Sequence, residues 1–258
     1  MQEFRDARTI KTASYDASID KGLRAYMIGV YNLMAMGLGI TGLTAYLVSS
    51  FSVTHTAGAG ASAMLRNGLY LTEFGKALYM SPLSYVIMFA PLVAVLFLSF
   101  KIHNLRTSTA RALFLGYAAL VGLSLSSIFL VYTSTSITQT FFITAAAFAS
   151  LSLYGYTTKR DLRPIGSFLC MMAFGLLIAM VVNLFLKSSG FQFIITLVGL
   201  GIFSGLTAYD TQRTKELYYE GDSSETMGRK MVLGALSLYL DFINMFVFLL
   251  QFLNSNRE

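Results

Sequence analysis

Residues 231–253 read MVLGALSLYLDFINMFVFLLQFL, and Asp241 is the one charged residue among them. A helix of about 20 apolar residues, rising about 1.5 Å per residue, crosses the roughly 30 Å hydrocarbon core of a bilayer. The run therefore predicts a transmembrane helix with a carboxyl group part-way across it. A charge at that depth is costly and marks a functional position by default. Upstream, Phe203–Gln212 reads FSGLTAYDTQ and sets Asp210 in a second apolar run. The other eleven acidic residues, Glu3, Asp6, Asp16, Asp20, Glu73, Asp161, Glu216, Glu220, Asp222, Glu225 and Glu258, fall in tails or loops. Only these two aspartates demand an explanation.

Working outward, the whole chain of 258 residues is 55% hydrophobic and 12% charged, with a mean hydropathy of +0.62. A soluble domain carries about 25% charged residues, so the composition predicts an all-α integral membrane protein. Seven apolar runs are expected to span, at about 25–50, 83–100, 112–132, 138–158, 164–186, 191–212 and 231–253. A transmembrane barrel would need alternating strands instead. No polar linker separates two folded units, which predicts one seven-helix membrane domain over 25–253. Residues 1–24 read as a cytoplasmic tail rather than a cleaved signal peptide, since no short apolar core with a small-residue cleavage site precedes the first span. Residues 254–258 read as a short outer tail.

Cys170 is the single cysteine, so no intramolecular disulfide can form. The net charge of +6 invites a nucleic-acid partner, but the basic residues sit in loops that alternate with the spans. Assigned to alternate sides, fifteen Lys and Arg fall on the side of the N-terminal tail and four on the other. By the positive-inside rule the N-terminus is cytoplasmic and the C-terminus outside, as in a multi-pass protein of a cell (inner) membrane. The 51–82 segment, with Gly58, Gly60, Gly68 and Gly75, predicts a flexible outer loop holding a short interfacial helix. Pro91 predicts a kink in span two, of a kind neighbouring helices accommodate.

Spans six and seven flank the polar stretch Glu220–Lys230. As an antiparallel hairpin they would carry Asp210 and Asp241 at similar depth, facing each other. Ser237, Asp241 and Asn244 stand at i−4, i and i+3 and so share one helical face, which is expected to point into the bundle or a wet cavity. Gly201 and Gly205 form a G-x-x-x-G pair, which with Ala208 would let span six approach span seven closely; generic packing is the plainer use of such a pair. Two carboxyls held together in a low dielectric cannot both ionise cheaply. The pair is expected to hold one proton near neutral pH: sharing it closes a latch, and losing it drives the carboxylates apart. Separated carboxylates are hard oxygen ligands suited to Ca²⁺, or can relay protons. The structural alternative is that each aspartate pairs with a nearby cation such as Arg213 or with backbone groups.

Enzyme signatures are absent: His55 and His103 are isolated, and no H-E-x-x-H, C-x-x-C, P-loop or dinucleotide fingerprint occurs. Neither an enzymatic activity nor a cofactor is expected.

Phe203-SGLTAYDTQ followed by Lys215, and Ala235-LSLYLDFINMF, resemble the two C-terminal signature segments of the Bax inhibitor-1 (transmembrane BAX-inhibitor-motif) family. The similarity is close over about residues 199–253 and looser, through seven spans and short inner loops, over the rest. It implies six helices around a central seventh and a pH-sensitive calcium leak channel gated by two aspartates, here Asp210 and Asp241, which would meet Ca²⁺ only transiently as the transported ion. It also implies an arginine near the inner end of helix two that binds the closed pair, for which Arg111 is the nearest match and Arg106 the next. Other members suppress cell death in eukaryotes or modulate a membrane protease in bacteria. The short N-terminal region is that of a bacterial-type member. Two expectations follow: a proton-regulated Ca²⁺ or cation leak in the lipid bilayer, or a non-transporting regulator that binds a membrane protease or a cell-death or stress partner.

Overall fold

The computed structural model describes residues 2–54, 63–64 and 70–255. His55, Gly58, Gly60, Arg66, Gly68 and residues 256–258 lie outside the described residues, as does the side chain of His103. In chain order the elements are α1 (Gln2–Ser52), three two-residue strands β1 (Val53–Thr54), β2 (Ala63–Met64) and β3 (Tyr70–Leu71), α2 (Glu73–Tyr79), α3 (Leu83–Lys101), α4 (Thr107–Leu125), α5 (Ile128–Val131), α6 (Ser134–Thr157), α7 (Arg163–Leu186), α8 (Ser189–Glu216) and α9 (Ser224–Ser255).

Seven stretches are long and apolar enough to cross a membrane: Lys21–Ser52, Leu83–Lys101, Thr107–Val131, Ser134–Thr157, Arg163–Leu186, Ser189–Glu216 and Ser224–Asn254. They agree with the seven predicted spans to within a few residues at most ends. Helix α1 begins at Gln2, so the stretch predicted as a tail is helical, and its membrane-length apolar part begins at Lys21. Within the third span the helix breaks at Ser126–Ser127 and resumes as α5. Ser126 Oγ donates to the Leu123 carbonyl at 2.6 Å and receives the Tyr79 hydroxyl at 2.9 Å, a side-chain competition with the backbone that bends helices. Helix α3 runs on through Pro91.

The 51–82 segment holds the short helix expected of it, α2, capped by Thr72 whose hydroxyl accepts the Gly75 amide at 3.1 Å. A Cβ on Gly75 would strike the Ser52 carbonyl, so the bare glycine is what lets α2 fold back on the end of α1. The sequence did not reveal the small antiparallel sheet of order β1-β3-β2 in this segment. Strands of two residues carry no readable alternation.

Helix α9 is central. Two-thirds of its span (67%) is buried, against 39% or less for any other, and Val232, Ala235, Leu238, Tyr239 and Met245 are fully enclosed. Tyr239 packs edge-on against Phe114 (5.6 Å) and Tyr117 (5.9 Å) of α4. Its hydroxyl lies 2.7 Å from Thr41 Oγ1 of α1, which reaches the Ala118 carbonyl of α4 at 2.9 Å. The phenol donates to the threonine and the threonine to the carbonyl, which ties three helices together. In lipid, where apolar burial no longer separates packed from unpacked helices, such contacts supply the association energy. A side chain on Gly37 would run into Phe114 and Tyr239, so the close approach of α1 depends on that glycine.

Candidate functional site

Helices α8 and α9 form an antiparallel hairpin around the turn at 217–223. Its register is set by small residues meeting large ones: Thr214 packs on Gly234, Phe248 covers Gly199, and Ser204 Oγ lies 3.5 Å from Met245 Sδ. Phe203 stacks on Phe248 with ring centroids 5.9 Å apart. This register sets Asp241 level with Thr207, about one helical turn deeper than Asp210. The two carboxyls are nevertheless close enough across the helix pair for each to feel the other's charge. Asp210 is half-buried, whereas Asp241 is 3% exposed and its Oδ2 is enclosed without a hydrogen-bond partner.

The charged neighbour of Asp210 is Arg213, one turn nearer the loop on the same helix and exposed. The described ion pairs, Arg163 with Asp161 and Glu216, and Lys230 with Asp222, leave both aspartates out. Among the described residues no group of three or more His, Cys, Asp and Glu forms a metal cluster. Ca²⁺ takes 6–8 oxygen ligands, so an ion meeting the two carboxyls would keep most of its water.

The structure does not bring Arg111 to the pair. It is exposed on α4, and its Nη2 lies 3.9 Å from Met231 Sδ, ten residues or about 15 Å before Asp241 along α9. Arg106 stands closer still to the end of the bundle, beside Glu225, whose Oε2 accepts the Thr107 amide at 2.9 Å. The cause is depth: α4 begins level with the first turns of α9, so both arginines belong to its end.

Gly201 and Gly205 do not mediate the α8–α9 approach either. Gly201 faces open space, and Gly205 receives Leu169 of α7. Ala208 faces α6, where a side chain on Gly155 would collide with its carbonyl. The glycines that serve the hairpin are Gly199 and Gly234, which lie too far apart in sequence to form a motif. Ser237 is half-buried one turn from Asp241, and Asn244 Nδ2 donates to the Leu240 carbonyl of its own helix at 2.8 Å.

Sequence reasoning also missed Gln212, whose side chain accepts the Leu162 amide at 2.8 Å and donates to the Arg160 carbonyl at 2.7 Å. These bonds pin the α6–α7 loop to α8 two residues from Asp210. Gln212 lies inside the quoted stretch, but nothing local marks it as a loop anchor.

Residues 23–258 match the sequence profile of a family described as inhibitor of apoptosis-promoting Bax1. The chain is 46% identical over 253 residues to an uncharacterised protein of Caulobacter vibrioides, covering 98% of this chain and 97% of that one. It is 41% identical over 251 residues to an uncharacterised protein of Rickettsia prowazekii, covering 97% and 98%. Against the inner membrane protein YbhL of Escherichia coli K12 it is 39% identical over 238 residues, covering 92% and 94%. The chain is a seven-span membrane protein that belongs to the Bax inhibitor-1 family.

Proposed function

We propose that this protein is a pH-regulated leak pathway for Ca²⁺ or a similar cation, with the Asp210–Asp241 pair as its gate. The observation that supports this is a carboxyl pair between the central helix and its neighbour, one oxygen of which is buried without a partner. Such a pair is stable while it holds a proton and strained once it loses it, because burial and like charge both oppose the doubly ionised state. Loss of the proton separates α8 from α9 at this level and leaves two hard oxygen ligands facing the gap. The orientation that accompanies this reading, N-terminus cytoplasmic and C-terminus outside, rests on the fifteen-to-four division of basic residues.

The test is Ca²⁺ uptake into liposomes containing only the purified protein, read with an entrapped indicator at several pH values. Flux that rises with pH supports the reading. Absence of flux at every pH sinks it and leaves a non-transporting regulator that binds a membrane protease or another membrane protein.

A further inference from the structure

Helices α1 and α6 line opposite sides of a crevice of about 570 Å³ at the end of the bundle that carries the basic loops. That is the size of a small-ligand site. Its walls are Ile28 and Met27 on one side and Phe148, Ala149 and Leu153 on the other, with Ile28 and Leu153 well exposed along the open edge. The floor is closed by the Tyr31 hydroxyl at 2.6 Å from Ser152 Oγ, which in turn lies 3.0 Å from Thr211 Oγ1 of α8. These hydroxyls satisfy one another and leave a hydrocarbon-lined slot.

The mouth is cationic. Arg24 lines it beside Tyr156 and is exposed. Lys215 Nζ donates to the Tyr156 carbonyl at 2.7 Å and lies 5.5 Å over its ring, and Lys21 stands one turn before Arg24 on α1. Among the described ion pairs Asp161 and Glu216 go to Arg163 and Asp222 to Lys230, and none involves Arg24. An apolar slot at membrane depth with an exposed guanidinium at its mouth and Lys215 beside it is complementary to an amphiphile with a negative head. We propose that this crevice binds an anionic phospholipid of the surrounding bilayer, an acyl chain between α1 and α6 and the phosphate against Arg24.

The test uses the full chain purified in a neutral detergent, titrated with phosphatidylglycerol or phosphatidylcholine and read by native mass spectrometry as lipid bound per protein. The expected result is one tightly held phosphatidylglycerol, preferred over phosphatidylcholine by about fivefold or more, the scale of one basic residue at a lipid headgroup. Arg24→Gln should bring the two lipids to parity. Ala149→Phe, which fills the slot, should lower binding of both, while Arg163→Gln, a basic residue at the same end but away from the crevice, should keep the wild-type preference. Thermal unfolding checks each variant, and the surface change Arg24→Gln carries the test if Ala149→Phe does not fold. Equal binding of the two lipids by the wild type, or an Arg24→Gln variant that keeps the preference, overturns the site. Displacement of the lipid by glycerol phosphate at matching concentration would mean an anion site without an acyl slot and overturns it as well.

Discussion

Asp241 stands about one helical turn deeper in the bundle than Asp210, yet the two carboxyls are close enough across the α8–α9 hairpin for each to feel the other's charge. The deeper member belongs to the central, most buried helix and keeps one oxygen without a partner. The pair is therefore asymmetric: Asp210 has Arg213 and the half-exposed surface of α8 beside it, whereas Asp241 has Asp210.

If the shared proton is the latch, leak should increase as pH rises through the titration of the pair. The sign follows from charge: losing the proton creates the repulsion that opens the pair. Asp210→Asn and Asp241→Asn should each flatten this response, and the double variant should add little, because residues acting as one unit are not additive. The measurement is liposome Ca²⁺ flux against pH; single variants that keep the full wild-type profile would exclude the gate.

Arg213, one turn along α8 from Asp210, and not Arg111, is the cation whose charge reaches the pair. Replacing it by Gln removes a charge that favours ionised Asp210, so the onset of leak should move to higher pH. Arg111→Ala should leave the profile where it is, since that guanidinium rests on Met231. A displaced onset in Arg111→Ala with an unchanged one in Arg213→Gln would reverse this assignment.

The hairpin should be sensitive at Gly199 and Gly234 and tolerant at Gly201. A Cβ at Gly199 comes within 2.7 Å of the Phe248 ring, and one at Gly234 within 2.5 Å of Thr214 Cγ2, while Gly201 has open space. Ala at either of the first two should lower stability by about 1–3 kcal/mol, the usual cost of overpacking. Gly201→Ala should be neutral or slightly stabilising, because Ala is the better helix former by about 1 kcal/mol. Thermal unfolding in detergent reads the difference.

Reporter fusions test the orientation. Fusions after Ser136 or at Glu258 should report the outside, and those within Lys101–Arg111 or Glu220–Lys230 the cytoplasm, by the basic-residue asymmetry. A cytoplasmic C-terminus would contradict the seven-span orientation.

Span number, approximate span limits and the two exceptional aspartates were all legible along the chain. Each depends on the transfer of one segment from water to hydrocarbon, and 23 residues such as 231–253 carry that information by themselves. The hairpin was legible too, because one short polar stretch between two successive spans leaves them no choice but to run antiparallel. Which face each helix turns to which neighbour was not. Successive helical residues are about 100° apart around the axis, and a helix that is apolar all round does not mark its inner side. Gly201 and Gly205 therefore looked equal to Gly199 and Gly234 until packing against Phe248 and Thr214 told them apart. Arg111 failed for a related reason: its depth depends on where α4 starts relative to α9. By itself the sequence determined a seven-span membrane protein with two carboxyls on adjoining helices. Tertiary structure alone decided how closely those carboxyls approach, that Arg111 lies away from them, and which glycines permit the approach, because rotation and register arise only between helices.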